Sequence, residues 1–114
     1  MASVAPTVRY LIISDDIRAD ETNARRLTLV GLVSSIDSAH EPPYPALHPE
    51  FCVYVQMTGY RGSGEGRIEV VHADTDRVLF RTRTRTLPLP NDPLEVVGVT
   101  FRIRGLTFEE PGLY

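Results

Sequence analysis

The 114-residue sequence predicts an all-β protein built as an antiparallel β-sandwich, and three observations support that prediction. No stretch repeats apolar residues with the period of a helix over three turns, whereas alternation with a period of two recurs along the chain. Short apolar runs are separated by clusters of Gly, Pro, Asn and Asp, as strands are by turns. The length suits one domain, 1–114, in which we expect residues 1–6 to be flexible.

The apolar runs predict six strands, lettered in chain order: A (8–15), B (26–36), C (51–60), C′ (67–73), D (78–87) and E (95–104). Strands C and E alternate most clearly, so one face of each is expected in the core. These core residues are Phe51, Val53, Val55 and Met57 in C, and Val97, Val99, Phe101 and Ile103 in E. The segment 37–50 is rich in proline, which predicts a stiff, extended crossover between two sheets.

The last residues, 108–114, end in Pro111-Gly112-Leu113-Tyr114. This ending is typical of the corner of an immunoglobulin-like sandwich, where a tyrosine begins the penultimate strand. The two strands that follow such a corner need about 20 further residues. Two interpretations stay open: the chain continues past Tyr114, which we favour, or a partner completes the sheet by adding a strand. The predicted fold is therefore an immunoglobulin-like β-sandwich whose last strands are missing from these 114 residues.

Three segments together carry a family resemblance: Ser14-Asp15-Asp16-Ile17-Arg18, Arg26-Leu27-Thr28-Leu29-Val30-Gly31, and the Pro-Gly-x-Tyr ending at 111–114. Over nearly the whole chain the sequence resembles an uncharacterised family of short bacterial proteins. That family's pattern runs Asp-Asp-Ile/Val-Arg, a polar turn, Leu-Ser/Thr-Leu-Ile/Val-Gly, and a Pro-Gly-x-Tyr corner. The resemblance implies a single immunoglobulin-like sandwich, and it implies no activity.

Charge and cysteine content exclude several classes of function. A formal net charge of −3 makes nucleic acid and anionic membranes poor partners. Cys52 is the single cysteine, which excludes an intramolecular disulfide, and its apolar neighbours predict a packed thiol. No signal peptide and no membrane helix are visible, so we expect a cytoplasmic protein. No motif predicts a catalytic residue or a cofactor site.

Four carboxylates within seven residues are weak candidates for metal ligands: Asp15, Asp16, Asp20 and Glu21. Their spacing fits no EF-hand loop, and we favour the interpretation that they cap turn amides and pair with Arg18 or Arg25. One alternative function follows from this cluster. It is a metal or small-ligand site in the loops near 15–21 and 40–48, the second of which contains His40 and His48.

An arginine stripe is the strongest positive signal. Alternation places Arg81, Arg83 and Arg85 on one face of strand D, and it places Arg102 and Arg104 on the outward face of strand E. If D and E pair as a hairpin, the five arginines form one row that suits an acidic protein or, as a second alternative, nucleic acid. A solvated face that protects an edge strand from aggregation explains the same row, and we favour it.

Strands A and B are apolar on both faces, which is unusual in an antiparallel sheet. In the usual sandwich order A, B, E and D share one sheet, so its outer face joins Val30 and Leu32 to the arginine row. An apolar centre ringed by arginine is typical of interfaces. The sequence therefore predicts a non-enzymatic interaction or assembly module that uses the outer A-B-E-D face. We expect the partner to be another protein or a second copy of the chain.

Overall fold

The computed structural model of the chain describes residues 5–23, 26–37, 44–59, 62, 64–88, 92 and 94–114. Over these residues the protein is all-β, and its strand pairs are antiparallel, as predicted. The strands are β1 (Thr7–Ala19), β2 (Leu27–Leu32), β3 (Ala46–Thr58), β4 (Glu65–Gly66), β5 (Glu69–Val71), β6 (Val78–Arg81), β7 (Arg85–Thr86) and β8 (Val97–Phe108). Within the described ranges no helix is long and apolar enough to cross a membrane.

One four-stranded sheet, ordered β2-β1-β3-β8, forms the base of the fold. Its central ladder joins β3 to β8 from Ala46↔Phe108 to Met57↔Val97. The two strands alternate in phase, so pairing them puts most of their large apolar side chains on one face. The residues predicted to form the core of strands C and E are all buried: Phe51, Val53, Val55, Met57, Val97, Val99, Phe101 and Ile103.

Gly105 changes which residues of β8 face the core. Before it the odd-numbered residues are buried, and after it Leu106 and Phe108 are buried instead. The φ angle of Gly105 is +67°, a left-handed conformation that glycine adopts without steric cost. A Cβ atom at this position would meet no atom within 4 Å. The requirement for glycine is therefore one of backbone conformation, and it lets β8 stay in the core for four more residues than strand E was predicted to have.

A second layer packs on this buried face. It consists of two small sheets, β5-β6 and β4-β7, and β5 and β6 are joined through a turn at 73–75. Side chains of this layer that pack against or within the core are Ile68, Val70, Leu79, Phe80 and Leu87. The radius of gyration is 16.2 Å, larger than the roughly 13 Å of a compact domain of about this length. The second layer covers only part of the sheet beneath it, since Leu11 on the same face of β1 is 55% exposed.

The structure corrects the predicted strand order. Predicted strand D is divided into β6 and β7, which pair with β5 and β4, and β8 pairs with β3. The sheet therefore contains predicted strands A, B, C and E, and the A-B-E-D order is wrong. The physical reason is that β3 and β8 have the longest continuous apolar faces, and pairing them buries both. Strands β2 and β3 lie in the same sheet, and residues 46–50 of the predicted crossover belong to β3; residues 38–43 lie outside the described part.

Candidate interaction surfaces

The four-stranded sheet turns one face away from the second layer, and we call it the outer face. The strand register places on it the even-numbered residues of β1 from Tyr10 to Arg18, of β2 from Thr28 to Leu32, of β3 from Glu50 to Thr58, and of β8 from Gly98 to Arg104. The odd-numbered residues of the same stretches point toward the second layer. The outer face has no layer of described residues over it.

An ion-pair cluster on the outer face links β1, β3 and β8. Nη1 of Arg102 lies 2.7 Å from Oε1 of Glu50, and Nη2 of Arg102 lies 3.3 Å from Oδ1 of Asp16. Arg104 approaches Glu50 at 3.6 Å and Arg18 approaches Asp16 at 3.5 Å. A hydrogen bond from the Ile17 amide, followed by one from Arg102, lowers the pKa of Asp16. Arg102 is the main cause that lowers the pKa of Glu50.

Two small side chains on this face are fully buried beside the cluster. Cys52 pairs across the sheet with Ser14 on one side and Arg102 on the other, and neither Ser14 nor Cys52 exposes any surface. Burial is the largest cause that raises the pKa of the Cys52 thiol. A buried thiol with a raised pKa is not a nucleophile at neutral pH. Cys52 is thus packed, as its apolar neighbours predicted.

The rest of the outer face is apolar along β1 and β2. Leu32 is 70% exposed and Tyr10 is 53% exposed; half-buried Ile12 lies between them, and half-buried Val30 lies on the other side of Leu32, opposite Asp16. The structure brings Val30 and Leu32 onto the same face as Arg102 and Arg104. They share that face, but β2 and β8 are the opposite edges of the sheet, with β1 and β3 between them.

The predicted row of five arginines is wrong. Arg81 belongs to β6 and lies 3.2 Å from Glu69 of β5. Arg85 belongs to β7, donates a hydrogen bond to the carbonyl of Thr100, and lies with its guanidinium 5.1 Å from the centre of the Phe101 ring. Exposed Arg83 lies between the two strands. The row fails because the chain leaves the β5-β6 sheet after Arg81, so the three arginines do not lie along one strand beside β8.

The four carboxylates predicted as weak metal ligands do not come together at one site either. Asp15 and Asp16 are consecutive residues of a strand, so their side chains point to opposite faces. Asp20 accepts hydrogen bonds from the amide and hydroxyl of Thr22, both at 2.8 Å, and so caps a turn. Glu21 is exposed. Across the described ranges no three metal-binding side chains come together.

The proposed loop site near 15–21 and 40–48 is represented by one contact. Nε2 of His48 lies 3.9 Å from Oδ1 of Asp15, on the side of the sheet that faces the second layer. Two carboxylate or imidazole groups are fewer than the ligands that zinc or calcium requires. His40 and Arg25 lie outside the described residues, so their predicted contacts lie outside as well.

A groove that sequence reasoning missed opens on the inner side of β1. Its volume is about 430 Å³, and its floor is apolar, formed by Leu11, Ile13, Phe51 and Val53. Ile68 and Val70 line it from the second layer, and Tyr114 lines it from the C-terminal segment. The signal for it was the second apolar face of β1, which has no covering layer at Leu11.

The C-terminal segment closes one end of this groove. The hydroxyl of Tyr114 donates a hydrogen bond of 2.8 Å to the carbonyl of Glu110. The Tyr114 ring packs edge-on against Phe108 and His72, with centroid distances of 4.9 and 5.0 Å. The amide of Ala73, just past β5, donates a bond of 2.7 Å to the carbonyl of Leu113. The segment is thus fixed to the edge of β5 that faces away from β6.

The chain belongs to a family of unknown function, DUF6941, whose model matches residues 9–114. Comparison with curated proteins gave no match, and comparison with solved structures gave none. The family match agrees with the resemblance to an uncharacterised family. Activity and partner must therefore be inferred from the two surfaces themselves.

Proposed function

We propose that this member of a family of unknown function is a non-enzymatic assembly module whose outer face packs against a second copy of the chain. The observation that carries the proposal is the exposure of Leu32 and Tyr10 on a regular sheet face, beside a cluster of charges of both signs. A contiguous apolar patch rimmed by polar residues marks an interaction site in many soluble proteins.

The charge pattern supports a second copy as the partner. In a two-fold symmetric contact the same patch meets itself, so each charge must find its opposite on the same face. The outer face meets this requirement because Asp16 and Glu50 lie beside Arg18 and Arg104. A face that carried arginines alone would repel its copy and would favour an acidic or polyanionic partner. The division of the arginine row removes the main support for that alternative.

The placement of reactive side chains supports a binding role over catalysis. Cys52 and Ser14 are fully buried, and His72 is buried against the C-terminal segment. The groove of about 430 Å³ has an apolar floor, and the described residues that line it include no histidine, cysteine, lysine or arginine. Enzyme sites combine concavity with such groups, whereas binding surfaces need only shape and apolar area.

We also propose that the sandwich is of the immunoglobulin type. In that fold a tyrosine at the corner before the penultimate strand bonds back to the backbone a few residues upstream. The bond from Tyr114 to the Glu110 carbonyl has this form. The order β1-β3-β8 fits strands A, B and E of the fold, with β2 added beyond strand A, and β5 fits strand C.

The test of the assembly proposal is the Leu32→Asp variant, with Leu94→Asp as its matched control. Leu94 is 86% exposed in the turn before β8 and lies off the outer face. We expect the wild-type chain to dimerise and Leu32→Asp to raise the dimer dissociation constant roughly 100-fold or more, because each copy loses a buried leucine. Sedimentation equilibrium measures the constant. Circular dichroism checks that the fold is intact.

Val30→Asp should act in the same direction, since Val30 lies next to Leu32 on β2. The proposal is wrong if the wild-type chain stays monomeric from micromolar to millimolar concentration. It is also wrong if Leu94→Asp weakens the dimer as much as Leu32→Asp does. If both outer-face variants simply unfold, these side chains belong to the core and the interface idea fails.

A further inference from the structure

The four-stranded sheet ends on one side at β8, and among the described residues no strand pairs with the edge of β8 that faces away from β3. The strand has 12 residues, about twice the usual length. From Val97 to Arg104 it pairs with β3 without a shift in register, and this stretch is rich in β-branched and aromatic residues. A long, regular edge of this kind is a template for pairing with another strand.

One side chain of the second layer reaches this edge. Arg85 of β7 donates a hydrogen bond from Nη1 to the carbonyl of Thr100, and its guanidinium lies 5.1 Å from the centre of the Phe101 ring. In an antiparallel strand the N–H and C=O of one residue point to the same side, and successive residues alternate. The bond to Arg85 therefore indicates that Gly98, Thr100 and Arg102 direct their backbone polar groups out of the sheet.

The register of the whole sheet gives the same direction independently. The amide of Val33 bonds to the carbonyl of Ile13, so the odd-numbered residues of this part of β1 bond to β2 and the even-numbered ones bond to β3. Carried through the two ladders, this alternation makes the odd-numbered residues of β8 before Gly105 bond to β3. The even-numbered residues from 98 to 104 therefore form the free edge, and Arg85 lies against one of them.

A second copy of β8 is a suitable partner for this edge. Two copies that pair antiparallel about Thr100 place threonine opposite threonine and Gly98 opposite Arg102, so no arginine meets an arginine. Arg102 already pairs with Glu50 at 2.7 Å and with Asp16 at 3.3 Å in its own chain, so its charge is balanced before the copies meet. The contact is two-fold symmetric and closes after two copies.

We propose that Arg85 keeps the free edge of β8 from pairing with β8 of a second copy. A paired strand places an amide donor where Nη1 of Arg85 lies, so the strand and the side chain exclude each other. Withdrawing the arginine costs each copy a hydrogen bond and the contact with the Phe101 ring. The edge lies in the plane of the sheet, so this pairing is separate from the contact through the outer face and does not rest on it.

The test is the Arg85→Ala variant, with Arg83→Ala as its matched control, because exposed Arg83 lies between β6 and β7 and carries the same charge. Both are made in the wild-type chain and again in Leu32→Asp, so that association through the outer face is measured separately. We expect Arg85→Ala to tighten self-association by about tenfold for each arginine removed, or roughly 100-fold for a pair. Arg83→Ala should leave it unchanged. Sedimentation equilibrium measures the constants.

Hydrogen exchange identifies the surface that associates. In Arg85→Ala the amides of Gly98, Thr100 and Arg102 should become protected as the protein concentration rises. Arg85→Gln keeps the stem over the Phe101 ring but loses the charge and the reach, so it should act in the same direction and less strongly. Circular dichroism checks that each variant is folded, and Arg85→Gln decides the outcome if Arg85→Ala does not fold.

Four results would overturn the proposal. They are unchanged association in both Arg85 variants, an equal gain in Arg83→Ala, association without protection of the three edge amides, and association of Arg85→Ala that Leu32→Asp abolishes. The last result would place the new contact on the outer face. Unfolding of both Arg85 variants would also overturn it, since Arg85 would then support the fold itself.

Discussion

The two halves of the four-stranded sheet share an alternation of apolar residues on their inward face but have different surroundings. In β3 and β8, inward-pointing Val53 and Ile103 are almost completely buried, whereas in β1 the inward-pointing Leu11 is 55% exposed. All three alternate in phase and all three are strongly apolar. The difference comes from the second layer, whose apolar residues cluster with β3 and β8. Alternation decides which face a side chain takes, and the layer above decides how deeply it is buried.

The largest expected effect comes from Ile103→Ala in the covered half. Ile103 is 1% exposed, so the substitution leaves a cavity and should lower the free energy of unfolding by about 2–5 kcal/mol. The matched change in the open half, Leu11→Ala, should cost about 1 kcal/mol or less, because most of that side chain already meets water. Urea denaturation of both variants and of wild type measures the two losses in the free energy of unfolding. Equal costs would mean that the open half is covered in solution.

An intermediate effect is expected at Gly105, where β8 keeps its place in the covered half. Gly105→Ala forces a side chain into the left-handed region and should cost about 1–2 kcal/mol. Gly105→Asn should cost less, because asparagine tolerates this conformation better. Thermal unfolding of wild type, Gly105→Asn and Gly105→Ala should give melting temperatures that fall in that order. If Gly105→Asn lost as much stability as Gly105→Ala, a contact made by the added side chain, and not the φ angle, would set the requirement for glycine.

The smallest effect concerns the ion pairs of the outer face, where Arg102 of β8 pairs with Glu50 of β3 and with Asp16 of β1. The folded state lowers the pKa of Glu50, chiefly through Arg102, so the carboxylate stabilises the fold above its unfolded pKa, and that contribution is lost as pH falls through the folded value. The melting temperature of Glu50→Gln should therefore fall below that of wild type at neutral pH, and the two should converge below about pH 4.5. Exposure keeps the difference small.

Glu65→Gln is the matched control for the pH series, because Glu65 is an exposed carboxylate of β4 for which the described residues show no ion pair. Its melting curve should follow wild type at every pH. If Glu50→Gln and Glu65→Gln behave alike, the cluster on the outer face contributes nothing specific to stability.

The sequence identified the faces of the long strands and missed their neighbours. Alternation in 51–57 and 97–103 placed every inward residue correctly, since period two is a property of the strand itself. Which strand lies beside which is decided by the total apolar area that each pairing buries, and no local pattern contains that quantity. The sequence analysis therefore predicted that strand D pairs with strand E, whereas in the structure β8, the predicted strand E, pairs with β3.

The predictions about the candidate interaction surfaces divide in the same way: the face of a residue was predicted correctly, and the neighbouring strand was not. Val30 and Leu32 were placed on an open face because both faces of their strand were apolar. The arginine row was wrong because it assumed one continuous strand from 78 to 87, and the break after Arg81 has no proline or glycine to mark it. The groove was missed because it belongs to no strand alone, but to the gap between β1 and the edge of β5.

The buried thiol of Cys52 makes the opening of the structure around it measurable by labelling with a thiol reagent. Its sulfur lies on the outer face and exposes no surface, so a thiol reagent reaches it only while the side chains or strands that cover it have moved apart. With a reagent that reacts quickly, the labelling rate equals the rate of opening; with a slow one, it reports the equilibrium between closed and open forms. The labelling rate of this one native thiol therefore measures how often the structure around it opens.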